Sequence, residues 1–248
     1  MHDKIKARYI IECVIETCEP LHVGAGKITE FVTTVDCPII RTKKLDGTEV
    51  PVIPGSSIKG VLRSHFSRIL NSIPDDVVEN RGFKKMNLGD HSNLDEFEKN
   101  FAKSDEHKKE EMLPNVGTLE KFFGISGLAA PIRITDAEPE TNPEVQMRTH
   151  VKIDTGTERA KEGGLFTVEF VEGKFRFKIV FDELDSEHYK DVNKFFHEVF
   201  VKSLKRGLEL HIGGMKSRGY GLCILKMAKG WKFTPEKLAF GEEPEEWG

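Results

Sequence analysis

The chain predicts an α+β fold on three observations. Strict apolar alternation marks strands, apolar spacing near 3.6 residues marks two helices, and glycine-rich breaks separate them. Their order is strand, helix, strand, hairpin, helix, strand. That order fits a ferredoxin-like sandwich enlarged by insertions, a single domain over residues 1–248. A doubly wound sheet would need more strand–helix alternation than the sequence contains.

Residues 4–17, "KIKARYIIECVIET", place Ile5, Ala7, Tyr9, Ile11, Cys13 and Ile15 on one side, as a long strand does. "LHVGAGKITEF" then leads to "VDCPIIR" and a turn at Asp46-Gly47. A helix over about 57–73 follows Pro54-Gly55, with Ser56 or Ser57 as its cap and Ile58, Val61, Leu62, Phe66, Ile69, Leu70 and Ile73 on its apolar side. Residues 75–114 are polar and charge-mixed, a helical insertion or a partly disordered flap. "APIRITDA" (130–137) is a short strand, and the turn-prone stretch near 142–165 is a projecting arm. "LFTVEFVEGKFRFKIVF" predicts a hairpin in which Phe175, Phe177, Ile179 and Phe181 alternate after a Glu-Gly-Lys turn. A second amphipathic helix covers about 186–205. "LELHI" and "YGLCILKM" are closing strands around "GGMKSRG", and residues 236–248 form an acidic tail.

The net charge of −4 hides a division. Residues 75–111 carry eleven acidic and seven basic residues, and 236–248 carry five against one, so the rest of the chain is net positive. Residues 39–68 alone hold six bases against Asp46 and Glu49. Screening acts over about 8–10 Å at physiological salt, so a basic face works independently of a distant acidic one. Cys13, Cys18, Cys37 and Cys223 are scattered with no CxxC pair, which indicates neither a disulfide framework nor a zinc knuckle and suits a reducing cytoplasm. No apolar run approaches the roughly 20 residues of a membrane span, and no signal peptide is expected.

Four constellations carry candidate chemistry. Ser56, Ser57, Lys59 and Arg63 gather hydroxyls and cations at a helix start, an arrangement that invites an anion. The Walker pattern is absent, which disfavours a nucleotide hydrolase. "GGMKSRGYG" (213–221) has four glycines in nine positions, open to close backbone approach. Gly213, Gly214 and Gly219 leave its backbone accessible, Lys216, Ser217 and Arg218 add polar side chains, and Tyr220 offers a stacking face; together they suit a ribose-phosphate chain. In "LHVGAG", His22 beside Gly24 is either a phosphate donor, an acid–base group or an ordinary loop histidine. Asp36 in "VDCPIIR" either recruits a divalent cation, helps activate a ribose 2′-hydroxyl, or does neither. Asp136 and Asp154 are weaker candidates of the same kind.

In order along the chain, "LHVGAG", "VDCPIIR", "VIPGSSIKGVLRS", "FFG…IRITDA", "VKIDTGTERAKEGGLFTVEF" and "GGMKSRGYG" resemble RAMP proteins, the repeat-associated backbone subunits of type III CRISPR effector complexes. The resemblance, closest to the type III-A-like backbone RNase subunit, spans about residues 4–228, and "IPGSSIKG" combined with "GxKSRGYG" is its most specific part. It implies an RNA-recognition-motif-like ferredoxin core whose copies stack as a filament along a guide RNA. The arm would be a thumb that kinks the guide–target duplex. The guide backbone would lie on Ser56, Ser57, Lys59, Arg63 and the Gly213–Gly221 loop. Asp36 matches the aspartate that supports metal-dependent cutting of target RNA, with magnesium or manganese as the expected ion. Expected partners are guide RNA, target RNA, further copies of the chain and other effector subunits, without a membrane. The competing expectations are a non-cleaving backbone subunit, a metal-independent guide-processing endonuclease using a histidine such as His22, and a small-molecule phosphate enzyme.

Overall fold

The computed structural model describes residues 4–26 and 35–248. Part of the expected "LHVGAGKITEF" connection, residues 27–34, lies outside them. The core runs β1 (Lys4–Thr17), α1 (Gly55–Asn71), β2 (Ile132–Ile134), β3 (Gln146–Ile153), β4 (Ala160–Phe170), β5 (Lys174–Asp185), α2 and β6 (Leu222–Phe233). α2 comprises Lys190–Phe195, a π-helical turn Phe196–Phe200, and Val201–Arg206. The main sheet is ordered β6–β1–β5–β2, antiparallel throughout. Without the β3–β4 arm, this is the βαββαβ order of a ferredoxin-like fold, with the last strand beside the first.

β1 is central, and its pleat matches the sequence pattern. Ala7, Tyr9, Ile11, Cys13 and Ile15 are buried on one face while their neighbours remain half-exposed or exposed. Phe175, Phe177, Ile179 and Phe181 of β5 are buried alongside them. Both helices cover this face. α1 contributes Ile58, Leu62 and Phe66, whereas Ile69 is exposed because the next inward position falls to Leu70. In α2 the π turn widens the helix at consecutive Phe195 and Phe196, so both rings enter the core. Phe196 stacks on Phe181 at 3.9 Å, and the ring of Trp247 stacks on Phe196 at 5.8 Å. The acidic tail is therefore partly docked: Glu245–Glu246 pairs with Trp231 and Lys232 of β6.

The hairpin expected over 165–181 does not form. β4 pairs with β3, and β5 pairs with β1. Leu21 and Val171 exchange backbone hydrogen bonds, and the Thr17 N–H donates to the Gly173 carbonyl, so the chain leaves the sheet at this point. The outer half of β4 is mostly exposed, while Val168 and Phe170 at its base join a separate small core with Tyr220. Residues 75–123 include helices Asp75–Asn80, Leu94–Lys103, Glu106–Met112 and Thr118–Phe123. Phe97, Phe101, Leu113, Val116 and Ile125 form a second cluster under them.

A buried carboxylate joins β5 to its neighbours. Glu183 accepts Lys6 Nζ at 2.9 Å and the Tyr9 hydroxyl at 3.0 Å, with His197 Nε2 at 3.5 Å. Burial alone would push this carboxyl up, but hydrogen bonds from His197, Lys6 and Tyr9 outweigh it and hold it at about 2. Its folded value lies below the ordinary 4.5. Its contribution to stability is thus complete above the unfolded value and is lost as pH falls towards the folded one. Urea unfolding followed between about pH 6 and 2 should show this acid limb, and Glu183→Gln should flatten it. The variant should also lose about 1–3 kcal/mol at pH 7, because donors built around a carboxylate meet a neutral amide.

Candidate functional site

Three segments distant in sequence meet at His22. The residue is 6 % exposed, and its Nδ1 lies 2.8 Å from the Glu169 carbonyl, so that nitrogen carries the proton. Its own carbonyl accepts the Gly214 N–H at 2.8 Å. A side chain at Gly213 would place Cβ 2.2 Å from the same carbonyl, and Gly213 has φ +82°. Only glycine permits that contact. The expectation of a loop histidine presented to phosphate is corrected: His22 is a buried hub, with Gly24 against its ring.

Asp36 sits on a short rib. On one side, the Ala25 N–H donates to the Pro38 carbonyl and the Ile40 N–H to the Val23 carbonyl. On the other side, the Cys37 N–H donates to the Thr167 carbonyl and the Glu169 N–H to the Cys37 carbonyl. Asp36 is exposed, and its Oδ2 accepts the Thr167 N–H at 2.7 Å. The candidate aspartate is thus fastened to the base of the arm.

Tyr220 is not a free stacking face. It is fully buried, its hydroxyl lies 2.9 Å from His150 Nε2 on β3, and its ring meets Phe170 of β4 edge-on. The Arg148 guanidinium lies over the Phe170 and Tyr220 rings at 5.2 and 5.4 Å. The reason is packing: β4 turns Val168 and Phe170 toward the glycine loop, and an aromatic fills the space between them. Lys216, Ser217, Arg218 and Gly219 remain exposed beyond it, with Arg218 over the Phe166 ring at 5.3 Å.

α1 is capped in trans. Its N-cap is Pro54, with no side-chain cap from Ser56 or Ser57. Instead Asp136 Oδ1 accepts the Gly55 N–H at 2.7 Å, because the helix start lies against the strand end at Ile134–Thr135. The two serines are left uncommitted by capping. Helical periodicity then separates the expected group. A groove of about 820 Å³ is lined by Ser57, Gly60, Ser64, His65 and Arg68 of α1, by Glu209 and His211 of the strand before the glycine loop, and by Gly24, Gly213, Gly214, Lys216 and Ser217. Ser56, Lys59 and Arg63 fall on the adjacent face of α1. Arg63 donates to the Gly124 carbonyl at 2.9 Å, and burial, then Arg63, lowers the Lys59 pKa. His65 has its pKa lowered by burial and by Arg68 and Arg206, which favours its neutral form.

Residues 14–224 match the family model described as the RAMP superfamily. The chain belongs to the RAMP superfamily. It is 28 % identical over 232 residues to the CRISPR system Cms endoribonuclease Csm3 of Methanocaldococcus jannaschii, covering 88 % of this chain and 78 % of that protein. A second protein of that name, from Enterococcus italicus, is 34 % identical over 67 residues, covering 27 % of this chain and 30 % of the other. Among solved structures, a chain of a type IV-B CRISPR complex superposes with a TM-score of 0.53 at 18 % identity, over 89 % of this chain and 90 % of that one. That likeness supports the fold.

For a RAMP-superfamily chain with an expected divalent cation, the donor set is informative. No group of three His, Cys, Asp or Glu side chains converges as ligands among the described residues. Asp36 supplies an exposed carboxylate with one oxygen outside the Thr167 bond, which fits an ion shared with RNA phosphate oxygens and water. No helix of the described residues is long and apolar enough to cross a membrane.

Sequence reasoning missed Arg68 and His65, although both continue the helical row from Ser57. It also missed Glu169, which strand alternation would place outward from Val168 and Phe170. The stapling role of Tyr220 yields a test. Tyr220→Ala should cost about 3–5 kcal/mol of local stability, and Tyr220→Phe about 1 kcal/mol. Hydrogen exchange should accelerate along Gln146–Phe170 in the alanine variant and much less in the phenylalanine one, with β1 amides least affected.

Proposed function

We propose that this chain is a guide-RNA-coating backbone subunit of a type III CRISPR effector complex, working in the cytoplasm, that also cuts the target RNA paired to that guide. The observation that carries this reading is an open groove that presents Arg68 and Lys216, with Glu209 also in its lining, near an exposed carboxylate fixed at the base of a projecting arm. The Csm3 proteins similar to this chain are named endoribonucleases, which supports the same activity.

In this reading Ser57, Arg68, Lys216 and Ser217 hold successive phosphates of the guide along the groove, and His65 donates or accepts a hydrogen bond there. Ser56, Lys59 and Arg63 lie one face over and meet the backbone only where the strand leaves the groove. The arm separates neighbouring base pairs of the duplex and leaves one target nucleotide unstacked beside Asp36. Its 2′-hydroxyl is then free to attack the adjacent phosphorus in line with the departing 5′-oxygen. Asp36 takes the hydroxyl proton or would serve as a ligand for a magnesium or manganese ion, which when bound would neutralise the charge that develops on the phosphate. Copies of the chain and other effector subunits complete the assembly along the guide.

A second reading has its own observation. Asp36 accepts a backbone N–H of β4, so it serves as an anchor for the arm in a non-cleaving subunit. Asp36→Asn separates the two, because the amide oxygen still accepts the Thr167 N–H while the charge is gone. In a reconstituted complex with Mg²⁺, target cleavage should fall by at least about 10²-fold with guide and target binding unchanged. Cutting at the parental rate would leave Asp36 as an anchor only. The groove is tested by salt. If Arg68 and Lys216 each neutralise one guide phosphate, Arg68→Ala/Lys216→Ala should make the slope of log K against log[salt] shallower by about 1.4. An unchanged slope removes the guide from this groove.

A further inference from the structure

We propose that Glu169 and Arg41 are positioning residues for Asp36, an ion pair through which the arm's own strand sets the place of the aspartate. Glu169 is a carboxylate 8 % exposed at the base of β4, where burying a charge is costly unless it is fully paired. Its Oε2 accepts the Ile39 N–H at 3.0 Å and faces Arg41 Nη2 at 2.9 Å. Arg41 Nη1 in turn donates to the Ile39 carbonyl at 3.2 Å. One carboxylate and one guanidinium thereby hold both polar groups of Ile39, three residues beyond Asp36.

The same strand holds the other end of the rib. Thr167, two residues before Glu169, takes Asp36 Oδ2 on its N–H and the Cys37 N–H on its carbonyl. Two positions on β4 therefore clamp Asp36–Arg41 at both ends, and neither clamp comes from the main sheet. A displacement of the arm base displaces Asp36 with it. The pair also holds the half-buried Arg41 side chain against β4. Misplacement of a reacting group by about 1 Å is enough for a loss near 10²-fold.

This inference rests on the cleavage reading above, and the experiment separates their failures. In the full reconstituted complex with guide RNA and Mg²⁺, single-turnover cleavage at saturating complex and target Kd are measured for Asp36→Ala, Glu169→Ala, Glu169→Gln and Arg41→Gln. Glu169→Ala should slow cleavage by about 10²-fold while Kd changes less than about threefold. Glu169→Gln, whose amide oxygen still accepts the Ile39 N–H, should recover about tenfold of that loss. Exchange of the Ile39 amide should quicken in the alanine variant and return towards the parental rate in the glutamine one. If Asp36→Ala abolishes cutting but Glu169→Ala cuts at the parental rate, the positioning role is overturned and the cleavage reading stands. If Asp36→Ala cuts normally, both are overturned. A Glu169→Ala defect that appears equally in Kd also overturns positioning. Should that variant fail to assemble, Arg41→Gln decides by the same comparison of rate with Kd, because it leaves Glu169 its Ile39 partner.

Discussion

Between Cys37 and Ile40 the chain runs as a rib between two segments, with peptide groups that must be paired once they are buried. The partners come from Val23 and Ala25 on one side and from Thr167 and Glu169 on the other. No single regular strand could supply both. The aspartate, the histidine segment and the base of the arm consequently hold one another. Asp36 is exposed and chemically available because its neighbours are so fully committed.

The glycine loop completes the arrangement by contact with backbone rather than with side chains. Gly213 approaches the His22 carbonyl more closely than any Cβ allows, and the Gly214 N–H bonds to the same oxygen. Tyr220 then fills the space behind the loop and joins it to β3 and β4. What faces solvent is a groove with two walls, one from α1 and one from the loop. The cations that belong to it, Arg68 and Lys216, are selected by helix phase and loop position, whereas Arg63 bonds the carbonyl of Gly124 at the end of helix Thr118–Phe123.

Beneath the site, the fold is secured by aromatic packing between the sheet and α2. Phe122, Phe181, Phe195, Phe196 and Phe200 are all buried, and the π turn is what admits two consecutive rings. Among the described residues, the separate cluster at the base of the arm has Val168, Phe170 and Tyr220 as buried members. Fewer buried contacts mean a smaller opening free energy, so the outer arm opens more easily than β1 and β5, whereas Ile39 of the rib packs into the main core with Val23.

The sequence by itself determined the ferredoxin-like order, the two amphipathic helices, the central strand and the motifs that mark a RAMP chain. These are legible because period-2 and period-3.6 burial patterns and turn glycines are local properties. It also pointed to Asp36 and the Gly213–Gly221 loop. Only the tertiary structure decided that β4 pairs with β3, that Tyr220 and His22 are buried, that Asp136 caps α1, and that Glu169 and Arg41 close around Ile39. Apart from the pairing of β4 with its neighbour β3, these outcomes join residues far apart in the chain, such as the 130 positions between Ile39 and Glu169. The pairing is set by which buried polar groups still need partners once the sheet has formed, and no local pattern of residues records that need.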